Sequence, residues 1–161
     1  MRSDAGIVSG RSDPRRRRAV RLEGLPRAAF QAAVSYLSDV LRECQLVQVA
    51  HHQQERPVDS MLTELAGGLV PDLEEVRDVF LDGSVSDDGE GTVCLAVTLQ
   101  VAQAATLAHL QMQLVQLQLL ERRGGLLLRS EPAITDLLVW IWDEASDQVH
   151  GRPARPYRLA T

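Results

Sequence analysis

Residues 126–157 read LLLRSEPAITDLLVWIWDEASDQVHGRPARPY, and the fold is decided by how this stretch divides. Leu126-Leu127-Leu128 follows Gly124-Gly125, and the apolar run over 126–129 suits a short buried strand. Ser130-Glu131-Pro132 is helix-start chemistry: a capping side chain, then proline early, where a missing N–H costs nothing. From there Ile134, Leu137, Leu138, Ile141, Ala145 and Val149 recur at helical spacing and define one apolar stripe. His150 and Gly151 close the helix, glycine supplying the left-handed residue that helix ends favour. A tail rich in proline and arginine follows.

Both tryptophans lie in this helix, in different surroundings. Trp142 sits near the edge of the stripe and reads as core. At about 100° per residue, Trp140 lies roughly 120° from the stripe's centre, among Asp136, Asp143 and Asp147. An indole on an acidic face needs a cover, because exposed aromatic surface marks a contact. The tail Arg152-Pro153-Ala154-Arg155-Pro156-Tyr157-Arg158 can supply one. Its prolines favour an extended path, and its arginines can meet the aspartates while stacking on the ring. Two readings follow. Either the tail folds back and completes the domain, or Trp140, Asp143, Asp147, Arg152, Arg155 and Tyr157 form a contact site for a partner.

Working outward, 161 residues suit one domain with a real core. All 17 basic residues are arginine and the net charge is −5, unevenly spread. Residues 1–19 are rich in Ser, Asp, Gly and Arg and have no hydrophobic period, so they read as a disordered basic arm, leaving 20–158 as a single helix-rich domain. The run Arg15-Arg16-Arg17-Arg18 has no interleaved aromatics and an acidic body behind it. It reads as solvated rather than as a nucleic-acid contact. Cys44 and Cys94 stand far apart in apolar surroundings, as small buried hydrophobes of a reducing compartment. With no apolar leader and no run of membrane-spanning length, the expected location is cytoplasmic.

Val20-Arg21-Leu22 reads as a short extended lead-in. Pro26 opens a helix with Phe30, Ala33, Val34, Leu37, Leu41 and Cys44 on its apolar side, and Gln48 to Arg56 reads as a polar connection. A shorter helix from Pro57 ends at Gly67-Gly68, and another from Pro71 ends at Asp82-Gly83. Ser84 to Gly91 reads as an acidic, glycine-punctuated loop. Thr92 to Leu99 is dense in β-branched residues and reads as a strand. Val101 to Arg123 is too long for a strand and is built from helix formers. Its main stripe is Leu107, Leu110, Leu114 and Leu117, while Met112, Val115 and Leu119 widen the apolar coverage and imply burial on two sides. The predicted fold is therefore α+β and mainly helical, with four to five helices. Its two short strands, near 92–99 and 126–129, are joined by a long helix and would run parallel if paired.

No catalytic constellation emerges. His51-His52 is not a facial pair, and the loop 82–90 has oxygen ligands without calcium-loop order. Gly67-Gly68 and Gly124-Gly125 are not followed by Lys-Ser/Thr, and no serine lies in a nucleophile elbow. Glu43, Glu64 and Glu144 fall on predicted helices, where a solvated face is the ordinary role. No metal or cofactor is expected, and the chain reads as non-enzymatic.

Three segments together resemble a helical module of actinomycete regulatory proteins. That module accompanies ATP-binding domains of the anti-sigma-factor serine-kinase type and SpoIIE-like phosphatases. The first segment is Tyr36-Leu37-Ser38-Asp39-Val40-Leu41-Arg42-Glu43, with Ser38 where the family carries histidine. The second is the acidic loop feeding Thr92–Leu99. The third follows a Trp-x-x-x-Glu-x-x-x-Gln-x-x-Gly-x-Pro-x-x-Pro-aromatic pattern, met by Trp140, Glu144, Gln148, Gly151, Pro153, Pro156 and Tyr157, the last standing where tryptophan is common. The resemblance implies a regulatory part in bacterial partner-switching (sigma-factor or stress) signalling, with an ATP-binding regulator or phosphatase as protein partner. The chain contains no asparagine and so lacks the asparagine box of the ATP-binding half, and kinase activity is not implied. An alternative is a small-molecule sensor with a pocket between the 101–123 and 132–150 helices.

Overall fold

The β-branched run forms the middle of a sheet. The computed structural model describes residues 13, 15–53, 60–123 and 131–158. Its elements are β1 (Arg17–Pro26), α1 (Arg27–Gln53), α2 (Ser60–Leu81), β2 (Ser84–Asp87), β3 (Thr92–Gln100), α3 (Gln103–Arg122) and α4 (Pro132–Val149). The fold is α+β and mainly helical, as predicted. Strand order is β1-β3-β2, and both pairings are antiparallel. The strand predicted at 126–129, with its parallel pairing, lies outside the described residues.

Period-two alternation sets the sheet's inner face. Val20, Leu22 and Leu25 of β1 are buried beside Val93, Leu95, Val97 and Leu99 of β3. Leu22 pairs with Leu95 and Leu25 with Val93, so β1 carries one extra residue between them. This bulge contains Gly24 at φ +71°, a backbone setting that glycine adopts without strain. α1 packs on α2, α2 on α3, α3 on α4, and α4 returns to α1 while also meeting β1. One hydrophobic cluster joins all four helices to β1 and β3. No helix among the described residues is long and apolar enough to cross a membrane.

Several elements depart from the sequence reading. The two short helices predicted around Gly67-Gly68 and Pro71 are one, α2. Leu62, Leu65, Leu69, Leu73 and Val76 are all buried and stay in phase across the break, so burial of one continuous stripe outweighs the local breakers. α1 runs on to Gln53 through the supposed polar connection, where Gln48 turns its Nε2 to the Ala66 carbonyl of α2 at 3.2 Å. Ser84–Asp87, read as loop, is strand β2, held to β3 by a hairpin whose turn uses Gly89 and Gly91 at positive φ. β1 is ten residues long rather than a brief lead-in. It begins with Arg17, Arg18 and Ala19, which composition had placed in the basic arm and which pair with Gln100, Leu99 and Thr98.

Candidate functional site

α4 presents one row of side chains to β1 and the tail. Trp140, Glu144 and Gln148 stand four residues apart, one above the other on a helix face. Gln148 lies against the edge of β1 that β3 does not use. Its Oε1 accepts from the Arg21 N–H at 2.9 Å, and its Nε2 donates to the Arg21 carbonyl at 2.7 Å. The amide thus stands in for a strand neighbour. The second Nε2 hydrogen goes to Glu144 Oε1 at 2.8 Å.

Glu144, expected on a solvated face, has no exposed surface at all. Burying a carboxylate is costly unless its lone pairs are met, and here they are. Besides Gln148, it accepts from the Arg155 backbone N–H at 2.8 Å and from Arg155 Nε at 2.9 Å. The hydrogen bond to Glu144, and then its charge, hold the Arg155 guanidinium above its ordinary value, with Asp147 and Asp143 adding to the field.

The tail reaches this carboxylate by a fixed route. Gly151 turns the chain at φ +93°, and the Arg152 N–H returns to the Asp147 carbonyl at 2.9 Å. Asp147 then receives Arg152 Nη1 at 2.9 Å and Arg155 Nη2 at 2.7 Å. Further on, the Tyr157 N–H donates to the Glu23 carbonyl at 2.9 Å. Gly24 is needed beside it, because a Cβ there would lie 3.2 Å from the Tyr157 carbonyl oxygen. The Tyr157 ring meets Trp140 edge to face, centroids 5.0 Å apart at 73°, the geometry that opposed ring quadrupoles favour.

Of the six residues singled out from the sequence, five are brought together: Trp140 with Tyr157, and Asp147 with Arg152 and Arg155. Asp143 is exposed and acts on Arg155 only through its charge. Trp140 is half-buried, packed against the core, and its cover is the chain's own tail. Trp142 is core, with 2 % of its surface exposed. Glu144 and Gln148 hold the arrangement, yet both look like ordinary polar helix residues. Their signal was the four-residue row with Trp140. The motif positions Trp140, Glu144, Gln148, Gly151 and Tyr157 therefore build a strap across α4 and β1.

A second surface feature lies on α3. From Gln103 to Leu120 the helix carries no Asp, Glu, Lys or Arg. Its inner side, with Leu107, Leu110, Leu114 and Leu117, is buried. The outer side, about 150° away at 100° per residue, exposes Ala105 and Ala108, together with Met112, Val115 and Leu119 at 62 %, 53 % and 49 %. Burial on two sides was expected. The fold supplies it on one.

One groove in the structure lies on the sheet side of the fold. It measures about 640 Å³ and lies against β1, β3 and the end of α2, lined by Arg17, Arg21, Val79, Asp82 and Thr98; it touches α3 only at Gln103 and α4 nowhere. Both cysteines are free. Burial, and then neighbouring Glu43, push the Cys44 thiol up to about 11, which leaves it protonated and inert at neutral pH. Among the described residues, no three His, Cys, Asp or Glu side chains are grouped to hold a metal ion. No protein-family model, curated protein or solved structure matches this chain.

Proposed function

We propose that this chain is a non-enzymatic protein–protein interaction domain, acting in the cytoplasm in regulatory signalling of the partner-switching kind. The observation that carries this reading is the outer face of α3. Ala105, Ala108, Met112, Val115 and Leu119 form an exposed apolar stripe on a helix whose first 18 residues lack Asp, Glu, Lys and Arg. Depletion of charge with methionine at the centre is the composition of a protein contact, and solvent-facing helix surface ordinarily carries charge. The Trp140 face serves this function indirectly. With its ring and carboxylates engaged by the tail, it fixes α4, on which α3 packs.

The partner class comes from the resemblance: a separately encoded ATP-binding regulator or SpoIIE-like phosphatase. Capture from a host extract on the immobilised chain tests this, with Val115→Glu as control. Recovery of such a regulator by the wild type, and its loss with Val115→Glu, is the expected result. Equal recovery by both chains, or recovery of no regulator under conditions that retain known complexes, refutes the reading.

A further inference from the structure

The exposed stripe on α3 has an internal symmetry. Ala105, Ala108, Met112, Val115, Leu119 and Arg122 follow one another at intervals of three, four, three, four and three, the spacing of a coiled-coil seam. That series reads the same in both directions. Two such helices laid antiparallel about a two-fold axis therefore match position for position: Ala108 faces Leu119, and Met112 faces Val115 of the other copy. A small residue meets a large one at each outer layer, and Arg122, at the seam's end beside Ala105, can turn its head to water.

We propose that, in the free protein, a second copy of this chain occupies the stripe through antiparallel α3–α3 packing. The proposal rests on reading α3 as the contact surface and adds the identity of its occupant. An isologous contact sets each residue against the same surface in its partner, so a charged stripe would repel itself. This one has no Asp, Glu, Lys or Arg between Ala105 and Leu119, and His109 is turned aside to Asp72 of α2 at 2.6 Å. The bordering side chains are Gln111, Gln116 and Gln118, neutral groups able to hydrogen-bond in either direction. The seam spans about 26 Å at 1.5 Å per residue. One helix pair of that length falls at or below the roughly 1,200 Å² that opens the range of stable interfaces. The dimer is accordingly weak and readily exchanged, so that a regulatory partner competes with self-association for the same face.

Sedimentation equilibrium of the purified full chain, from low micromolar to near-millimolar concentration, tests this. The expected result is a weight-average mass rising from the monomer's 17.8 kDa toward twice that value. Val115→Glu and Val115→Arg should each remain monomeric with unchanged circular dichroism, since the side chain is exposed. Mixing Met112→Glu with Val115→Arg should restore a dimer, because the antiparallel register places those two positions together and leaves the other central layer apolar. A wild type that is monomeric throughout overturns the proposal, as does a dimer indifferent to both Val115 changes. Failure of the mixture to associate overturns the antiparallel register. A monomeric wild type that still captures a regulator through Val115 would remove the second copy and leave the interaction reading standing.

Discussion

Gln148 makes three hydrogen bonds with one amide, and its replacement by alanine is the sharpest test of how the tail is held. Two of the bonds go to the Arg21 backbone, at 2.9 and 2.7 Å, and the third to the buried Glu144 carboxylate at 2.8 Å. A net contribution of about 0.5–1.5 kcal/mol for each backbone bond, and about 1.5–3 for the charged acceptor, gives roughly 2.5–6 kcal/mol. Water can reach the freed Arg21 groups, since that edge is exposed, and Glu144 keeps Arg155, so the expected loss is about 2 kcal/mol. For a chain of this size that lowers the melting temperature by about 4–8 °C. Thermal melts followed by circular dichroism read the stability, and hydrogen exchange at the Arg21 and Tyr157 amides reads the local effect. Both amides should exchange faster. Gln148→Glu should cost more than alanine at neutral pH, because it sets a second carboxylate against Glu144, and the excess should shrink as acid protonates the pair. Melting of Gln148→Ala together with the wild type, with protected amides at both positions, would refute the strap's role in stability.

Three further outcomes follow from the same geometry. A double-mutant cycle of Trp140→Ala and Tyr157→Ala should give a coupling of about 0.5–1.5 kcal/mol from the edge-to-face pair; additive losses in urea melts would mean that the rings act separately. Gly24→Ala should cost roughly 1–2 kcal/mol for its left-handed backbone alone, with faster exchange at Tyr157, and an unchanged denaturation midpoint would contradict the close approach described there. Cys44 fixes an alkaline limit. Its thiol is raised from 9.0 in the unfolded chain to about 11 in the folded one, so above pH 9 the unfolded state releases its proton first and stability falls, by about 2–3 kcal/mol once pH passes 11. Comparing urea midpoints of the wild type and Cys44→Ala between pH 8 and pH 11 checks the sign, which is wrong if the two lose stability in parallel.

The amphipathic periods of α1, α3 and α4 were legible because each stripe is continuous and each face is buried by a neighbour. Ser84–Asp87 was not, because all four residues of β2 are exposed, so no buried face imposes alternation. In α2 the misleading signal was local. Gly67, Gly68 and Pro71 are breakers in isolation, whereas Leu62 through Val76 bury one stripe, and Gly68 lets Gln113 of α3 approach to where a Cβ would stand 2.8 Å from its Nε2. At the tail, aromatic and opposite-charge pairing predicted the contacts among Trp140, Tyr157, Asp147 and the arginines. Glu144 was missed because a lone acidic residue on a helix gives no sign of burial until its three donors, two of them from Arg155 on the tail eleven residues away, are in place.

The extra strand neighbour that Gln148 and the Tyr157 amide provide for β1 comes from far along the chain, Gln148 lying 127 positions from Arg21. That flank of β1 therefore stays open until α4 and the segment that follows it are in place. A cut between Val149 and Arg155 would strand a desolvated carboxylate without its guanidinium. The cost of such a nick would be felt on β1, where the Glu23 carbonyl loses the Tyr157 amide.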